Sequence, residues 1–120
     1  MAYDPDNVFA KILRGEIPCN KVYEDDHTLA FHDINPQAPV HVLVIPKGAY
    51  VSMEDFGATA SDAEIAALFR AVAKVSEMVG VRQDGWRLLS NIGANGGQEV
   101  PHLHVHLFGG RPLGRMVPKA

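Results

Sequence analysis

A chain of 120 residues fits one domain and leaves little room for a second, so residues 1–120 are read as a single domain. Hydrophobic residues make up 47% and charged residues 21%, the balance of an ordinary globular protein with one modest core. The 11 basic residues against 14 acidic ones, a net charge of −3, exclude the basic footprint of a nucleic-acid binder and the polybasic tract that seeks anionic lipid.

The chain opens with Met1-Ala2-Tyr3-Asp4-Pro5-Asp6, which lacks both the basic and the apolar region of a secretory signal. No stretch approaches the ~20 apolar residues that span a bilayer. Asp6 is the expected N-cap of a first, short helix that carries Val8, Phe9, Ile12 and Leu13 on one side. Gly15 and Pro18 end it. Cys19, the single cysteine, reads as a small residue in a turn, and an intrachain disulfide is impossible. A soluble protein of the reducing cytoplasm is expected.

Short β-like runs follow. Residues 22–24 and 28–32 flank Asp25-Asp26-His27 as a hairpin, and residues 40–45 form a third strand between Pro39 and Pro46. Ser61 and Glu64 then make a capping box at the start of a long helix. Ile65, Leu68, Val72, Val75 and Val79 repeat along it at helical spacing, Phe69 widens the stripe, and Gly80 stops it. That stripe is a core or dimer face. Residues 86–91 and 102–108 read as fourth and fifth strands. The expected fold is α+β: a mainly antiparallel five-stranded sheet with one long and one short helix.

The fifth strand carries the chemistry. Side chains alternate across a strand, so His102, His104 and His106 share one face while Leu103, Val105 and Leu107 share the other. A single buried histidine is usually a packing residue, and His27 and His32 are read that way. Three at period two on an apolar strand call for a function. Crowded together, some of them should titrate below the free value.

Two readings stand side by side. Histidines at i and i+2 suit zinc, although the neighbouring strands offer no obvious carboxylate or cysteine to complete the site. Alternatively, one imidazole attacks phosphorus, which requires its Nδ1–H to be held by a backbone acceptor so that the Nε2 lone pair is free. The preceding residues 92–101 favour the second reading. Gly93, Gly96 and Gly97 allow backbone N–H groups to converge on an anion, although Asn95-Gly96 also serves as a plain turn.

The run His102-Leu103-His104-Val105-His106-Leu107-Phe108 resembles the motif of the histidine-triad superfamily, in which histidines alternate with apolar residues. Gly96-Gly97-Gln98-Glu99-Val100-Pro101 before it and Gly109-Gly110-Arg111-Pro112-Leu113-Gly114 after it resemble the bacterial form of the Hint branch. Residues 29–41 with Ile45-Pro46-Lys47, and Phe9-Ala10-Lys11-Ile12 with Gly15-Glu16-Ile17-Pro18, are similar to two further blocks of that family.

The resemblance implies a purine-nucleotide-binding homodimer, its sheet extended across the two copies, that hydrolyses nucleoside phosphoramidates without a metal or other cofactor. It implies that His104 is the nucleophile, that His106 contacts the phosphate and leaving group, and that His102 and His41 orient the nucleophile. Asn91 would hold the α-phosphate with the loop of Gln98, Glu99 and Val100, and Asp33 would accept the ribose hydroxyls. Phe9, Ile12, Ile17, Phe31 and Ile34 would form the apolar slot for the base. The alternatives are a dinucleoside polyphosphate hydrolase, as in a sister branch, a non-catalytic nucleotide-binding or scaffold protein, and a zinc protein.

Overall fold

The computed structural model describes residues 2–119. A turn held by the Asp6 N–H on Asp4 Oδ1 precedes the first helix, α1 (Val8–Leu13). Its N-cap is Asn7 rather than the expected Asp6: the buried Asn7 side chain accepts from the Ala10 N–H at 2.9 Å and donates to Asp4 O at 2.7 Å. An amide both accepts and donates, so it closes the cap and the turn together, which a carboxylate cannot do.

Strands β1 (Lys21–Glu24) and β2 (Thr28–His32) form the hairpin, and β3 (Val40–Pro46) follows. A short helix that the sequence reading lacked, α2 (Met53–Thr59), comes next. Ser52 caps it and Asp55 closes a capping box, bonding the Val51 and Ser52 N–H groups at 2.8 Å. The long helix α3 (Asp62–Met78) begins at the Ser61–Glu64 box and stops at Gly80, whose φ of 73° is open to glycine at little cost. Phe69 does not extend its buried stripe; on the flank of that stripe it is 58% exposed.

The chain ends with β4 (Arg87–Leu89) and β5 (Val105–Gly109). All five strands pair antiparallel in the order β1-β2-β3-β5-β4. Gly109 lets the end of β5 pass close to α3's exit, because a Cβ there would lie 2.6 Å from Val81 Cγ1. Among the described residues, no helix is long and apolar enough to cross a membrane.

Alternation divides the sheet into two faces. Ala30, Val42, Val44, Val105 and Leu107 pack against Leu68, Ala71, Val72 and Val75 of α3. Leu29, Phe31, Leu43 and Ile45 turn the other way and gather around Phe9 of α1. β3, covered on both faces, is buried from His41 to Pro46. His41, His106 and Phe108 lie on the α1 side, and that side holds the cavity.

Candidate active site

The fifth strand is shorter than expected at its start. His102, Leu103 and His104 precede the ladder, because the Leu103 N–H donates to Tyr50 O at 2.7 Å, away from the sheet. Pro46, at the end of β3, has no N–H with which to continue pairing. Even so, Leu103 is buried with Val105 and Leu107 in the α3 core. The Ser90 hydroxyl supports the extension from the β4 side, donating to His104 O at 2.8 Å.

The hydrogen-bond partners assign the ring protons. His102 Nε2 lies 2.9 Å from Pro46 O, a pure acceptor, so Nε2 carries the hydrogen and Nδ1 accepts from the Tyr3 hydroxyl at 2.7 Å. His104 Nδ1 lies 2.7 Å from His102 O, so its hydrogen sits there and the Nε2 lone pair is free. The Gln37 N–H points at His41 Nδ1 at 3.1 Å, which places the His41 proton on Nε2. That proton is donated to His106 Nδ1 at 2.9 Å, and His106 therefore carries its own hydrogen on Nε2. A directed line runs from Gln37 through His41 to His106.

Burial holds these rings neutral. Desolvation pushes His41, His102 and His104 below the usual imidazole range. His106 is pushed down to about 4, by burial first and then by repulsion from His104 and His41. Phe9 stands edge-on to His104 with centroids 4.9 Å apart, and Phe108 stacks parallel to His106 with planes 2° apart.

The histidines open onto a cavity of about 560 Å³. Phe9, Ile12, Ile17, Phe31, Asp33, Ile34, Asn91, Glu99, Val100, His104 and His106 all border it. Ile34 stands 88% exposed at its rim. His41 and His102 do not border the cavity; they lie behind the rings they hold.

Two expected phosphate ligands stand differently. Gln98 is not on the cavity wall: its Oε1 accepts from the Gly93 N–H, and its Nε2 donates to Val51 O at 2.7 Å and Val100 O at 3.1 Å. It pins the glycine loop to the segment before α2, leaving no donor for a phosphate. Asn91 does border the cavity, but its Nδ2 donates to Gly96 O at 2.6 Å, so it shapes the loop and has one N–H left.

Sequence reasoning also missed Tyr3 and Phe108. Phe108 sits two residues after His106, so period two could have found it. Tyr3 reaches His102 across 99 residues of chain, and no local pattern announces that.

Contrary to the sequence reading, a carboxylate does lie near the histidines. Asp33, His41 and His106 offer ligand atoms within 4.8 Å of one another. The donor set suits a metal poorly: His41 would have to ligate through Nε2, the atom on which the Gln37 N–H fixes its proton. Moving that proton to Nδ1 would set two N–H groups face to face.

Comparison with known proteins places the chain in a family. The model of the HIT domain matches residues 14–113. The chain belongs to the HIT family. This HIT protein is 66% identical over 117 residues to a HIT-like protein of Azospirillum brasilense, covering 98% of this chain and 96% of that one. It is 46% identical over 112 residues to the purine nucleoside phosphoramidase of Escherichia coli, covering 93% of each. Among solved structures, a histidine triad protein from Clostridium difficile superposes with a TM-score of 0.84 at 42% identity, covering 97% of this chain and 100% of that one. A HIT family hydrolase from Clostridium thermocellum does so with 0.85 at 40% identity, covering 94% and 97%.

Proposed function

We propose that this HIT protein is a hydrolase of purine nucleoside 5′-phosphoramidates that works through a nucleotidyl-His104 intermediate. The observation that carries the reading is the state of His104: neutral, its Nδ1–H held by His102 O at 2.7 Å, its ring bordering a cavity with an apolar end. The name of the Escherichia coli relative supports the substrate class.

The base lies in the slot of Phe9, Ile12, Ile17, Phe31 and Ile34, an apolar setting suited to a planar ring. Asp33, at the polar end, accepts the ribose hydroxyls, since a carboxylate takes two hydrogen bonds at once. The phosphate faces His104 and His106, steadied by the remaining Asn91 N–H and by backbone N–H groups of the loop at Glu99 and Val100. Gln98 contributes through the loop it pins.

His104 Nε2 attacks phosphorus, and the P–N bond breaks with its electron pair leaving on nitrogen. That nitrogen takes a proton from solvent and departs as the amine. Water then attacks the nucleotidyl-His104 phosphorus, the P–Nε2 bond breaks, and the lone pair returns to His104. The proton lost by the water balances the one the amine took. His106, whose Nδ1 accepts from His41, presents its Nε2–H as a hydrogen-bond donor where charge develops on the phosphoryl oxygens and the departing nitrogen.

We further propose one domain, in the cytoplasm, acting as a homodimer. β4 leaves one edge of the sheet unpaired, with Leu88 38% exposed there, and Phe69 and Met78 add exposed apolar surface on α3. Sedimentation of the purified protein reads the dimer directly.

His104→Ala tests the central reading. It should release no amine from an adenosine phosphoramidate while still binding AMP. Wild-type turnover by that variant overturns it.

A further inference from the structure

His41 donates a single ring proton, yet two acceptors face it. His106 Nδ1 lies 2.9 Å from His41 Nε2, and Asp33 Oδ2 lies 3.5 Å from the same atom. Asp33 and His106 both border the cavity, while His41 is almost fully buried between and behind them. The other Asp33 oxygen accepts from the Asn35 N–H at 2.8 Å, so Oδ2 is free to answer both His41 and a ligand. The base-and-ribose end of the cavity is thus joined to the phosphorus end through one buried ring.

We propose that Asp33 is a positioning residue for the reaction as well as a diol ligand: by competing with His106 for the His41 proton, it reports ribose occupancy to the phosphorus end of the site. The inference rests on the phosphoramidase reading. Without a diol, the Asp33 carboxylate draws on the His41 Nε2–H. Diol hydroxyls donating to Oδ2 disperse its charge and occupy its lone pairs. The His41 proton then goes wholly to His106 Nδ1, which makes the His106 Nε2–H a stronger donor toward the phosphoryl group and the departing amine.

The charges around His106 single out Asp33. On the same segment His104 faces His106 and repels a proton there, and on β3 so does His41; among the described residues, Asp33, beyond β2, is the neighbour that draws a proton toward it. From β4, Leu89 pairs with His106, and Arg87 turns away to hold Gly114 O and Arg115 O at 2.8 and 3.1 Å. Glu99 of the glycine loop borders the same cavity and acts on His104. Phe108 seals the pair, 4.2 Å from the His41 centroid and stacked on His106.

The test is a comparison of single-turnover rates at saturating enzyme for an adenosine phosphoramidate and its 2′,3′-dideoxy counterpart. Coupling predicts that loss of the diol lowers the saturated rate by about threefold or more, a fraction of what one transition-state hydrogen-bond donor contributes, in addition to weakening binding. In Asp33→Asn the two substrates should react at nearly equal saturated rates, because the charge that the diol modulates is gone. A purely binding role for Asp33 changes only the concentration for half-saturation in both proteins, and that result overturns the proposal.

A second measurement needs no substrate. The ¹⁵N resonance of His106 Nδ1 should shift between wild type and Asp33→Asn, and an unmoved resonance also overturns the coupling. If wild type releases no amine from any phosphoramidate, the phosphoramidase reading falls, and the resonance comparison still decides the coupling.

Discussion

His104 donates its Nδ1–H to the main-chain carbonyl of His102, two residues back, at 2.7 Å. A side chain held by backbone is held by the fold itself, so no neighbouring ring can take that proton away. The free Nε2 follows from it, and so does the need for His104 to remain neutral.

That need sets the pH dependence of activity. Burial lowers the His104 pKa from 6.5, partly offset by the bond to His102 O and by the charges of Asp33 and Glu99. The nucleophile is therefore active at neutral pH and lost only in acid. The acid limb of kcat/KM should have its midpoint below 6.5. A midpoint at or above that value contradicts the burial argument.

Stability should follow the same rings with the same sign. His41, His102, His104 and His106 all have folded values below the unfolded 6.5, so the unfolded chain binds protons more readily. Their contribution is fully present above 6.5 and falls as the pH drops, for His106 down to about 4. Each proton taken up on unfolding steepens the loss by about 1.4 kcal/mol per pH unit. Urea midpoints measured above and below 6.5 should show the drop.

Tyr3→Phe keeps the ring against His102 but removes the hydroxyl that donates to its Nδ1. His102 is fully buried, so its acceptor is left without a partner, at a cost of about 1–3 kcal/mol. Denaturant unfolding of the variant measures it, and unchanged stability shows that another donor fills the place.

Gln98→Ala should act through the loop. The three backbone groups that the amide now serves lose their partner, and the loop loses its link to Val51. KM should rise several-fold with kcat little changed, the pattern of weakened ground-state binding. A loss confined to kcat would instead return Gln98 to the reacting phosphate.

The parts legible in the sequence were those that repeat locally. The Ser61–Glu64 box and Gly80 bounded α3 because caps are written within a few residues of the ends they close. Alternation placed Leu103, Val105 and Leu107 in the core because a strand has period two. α2 escaped notice: its Ser52–Asp55 box precedes a segment with Gly57 inside it and Phe56 as its one buried residue, so no apolar stripe marks it. Asn7 was passed over for Asp6 because both residue types cap helices, and the bond to Asp4 O decides between them only in three dimensions. The histidine face was visible in the spacing. Its connections to Tyr3, Pro46 and Gln37 were not, since they join residues distant in sequence or run through main-chain atoms that every residue has. Asp33 and His41 entered by resemblance, and the structure adds the 3.5 Å approach between them.

The central claim is covalent attack by His104, and rapid quenching reads it most directly. Wild-type protein mixed with an adenosine phosphoramidate, quenched within one turnover and digested, should yield a peptide bearing one adenylyl group on His104. Amine released at full rate with no adduct at any quench time, or with the adduct on another residue, would contradict it.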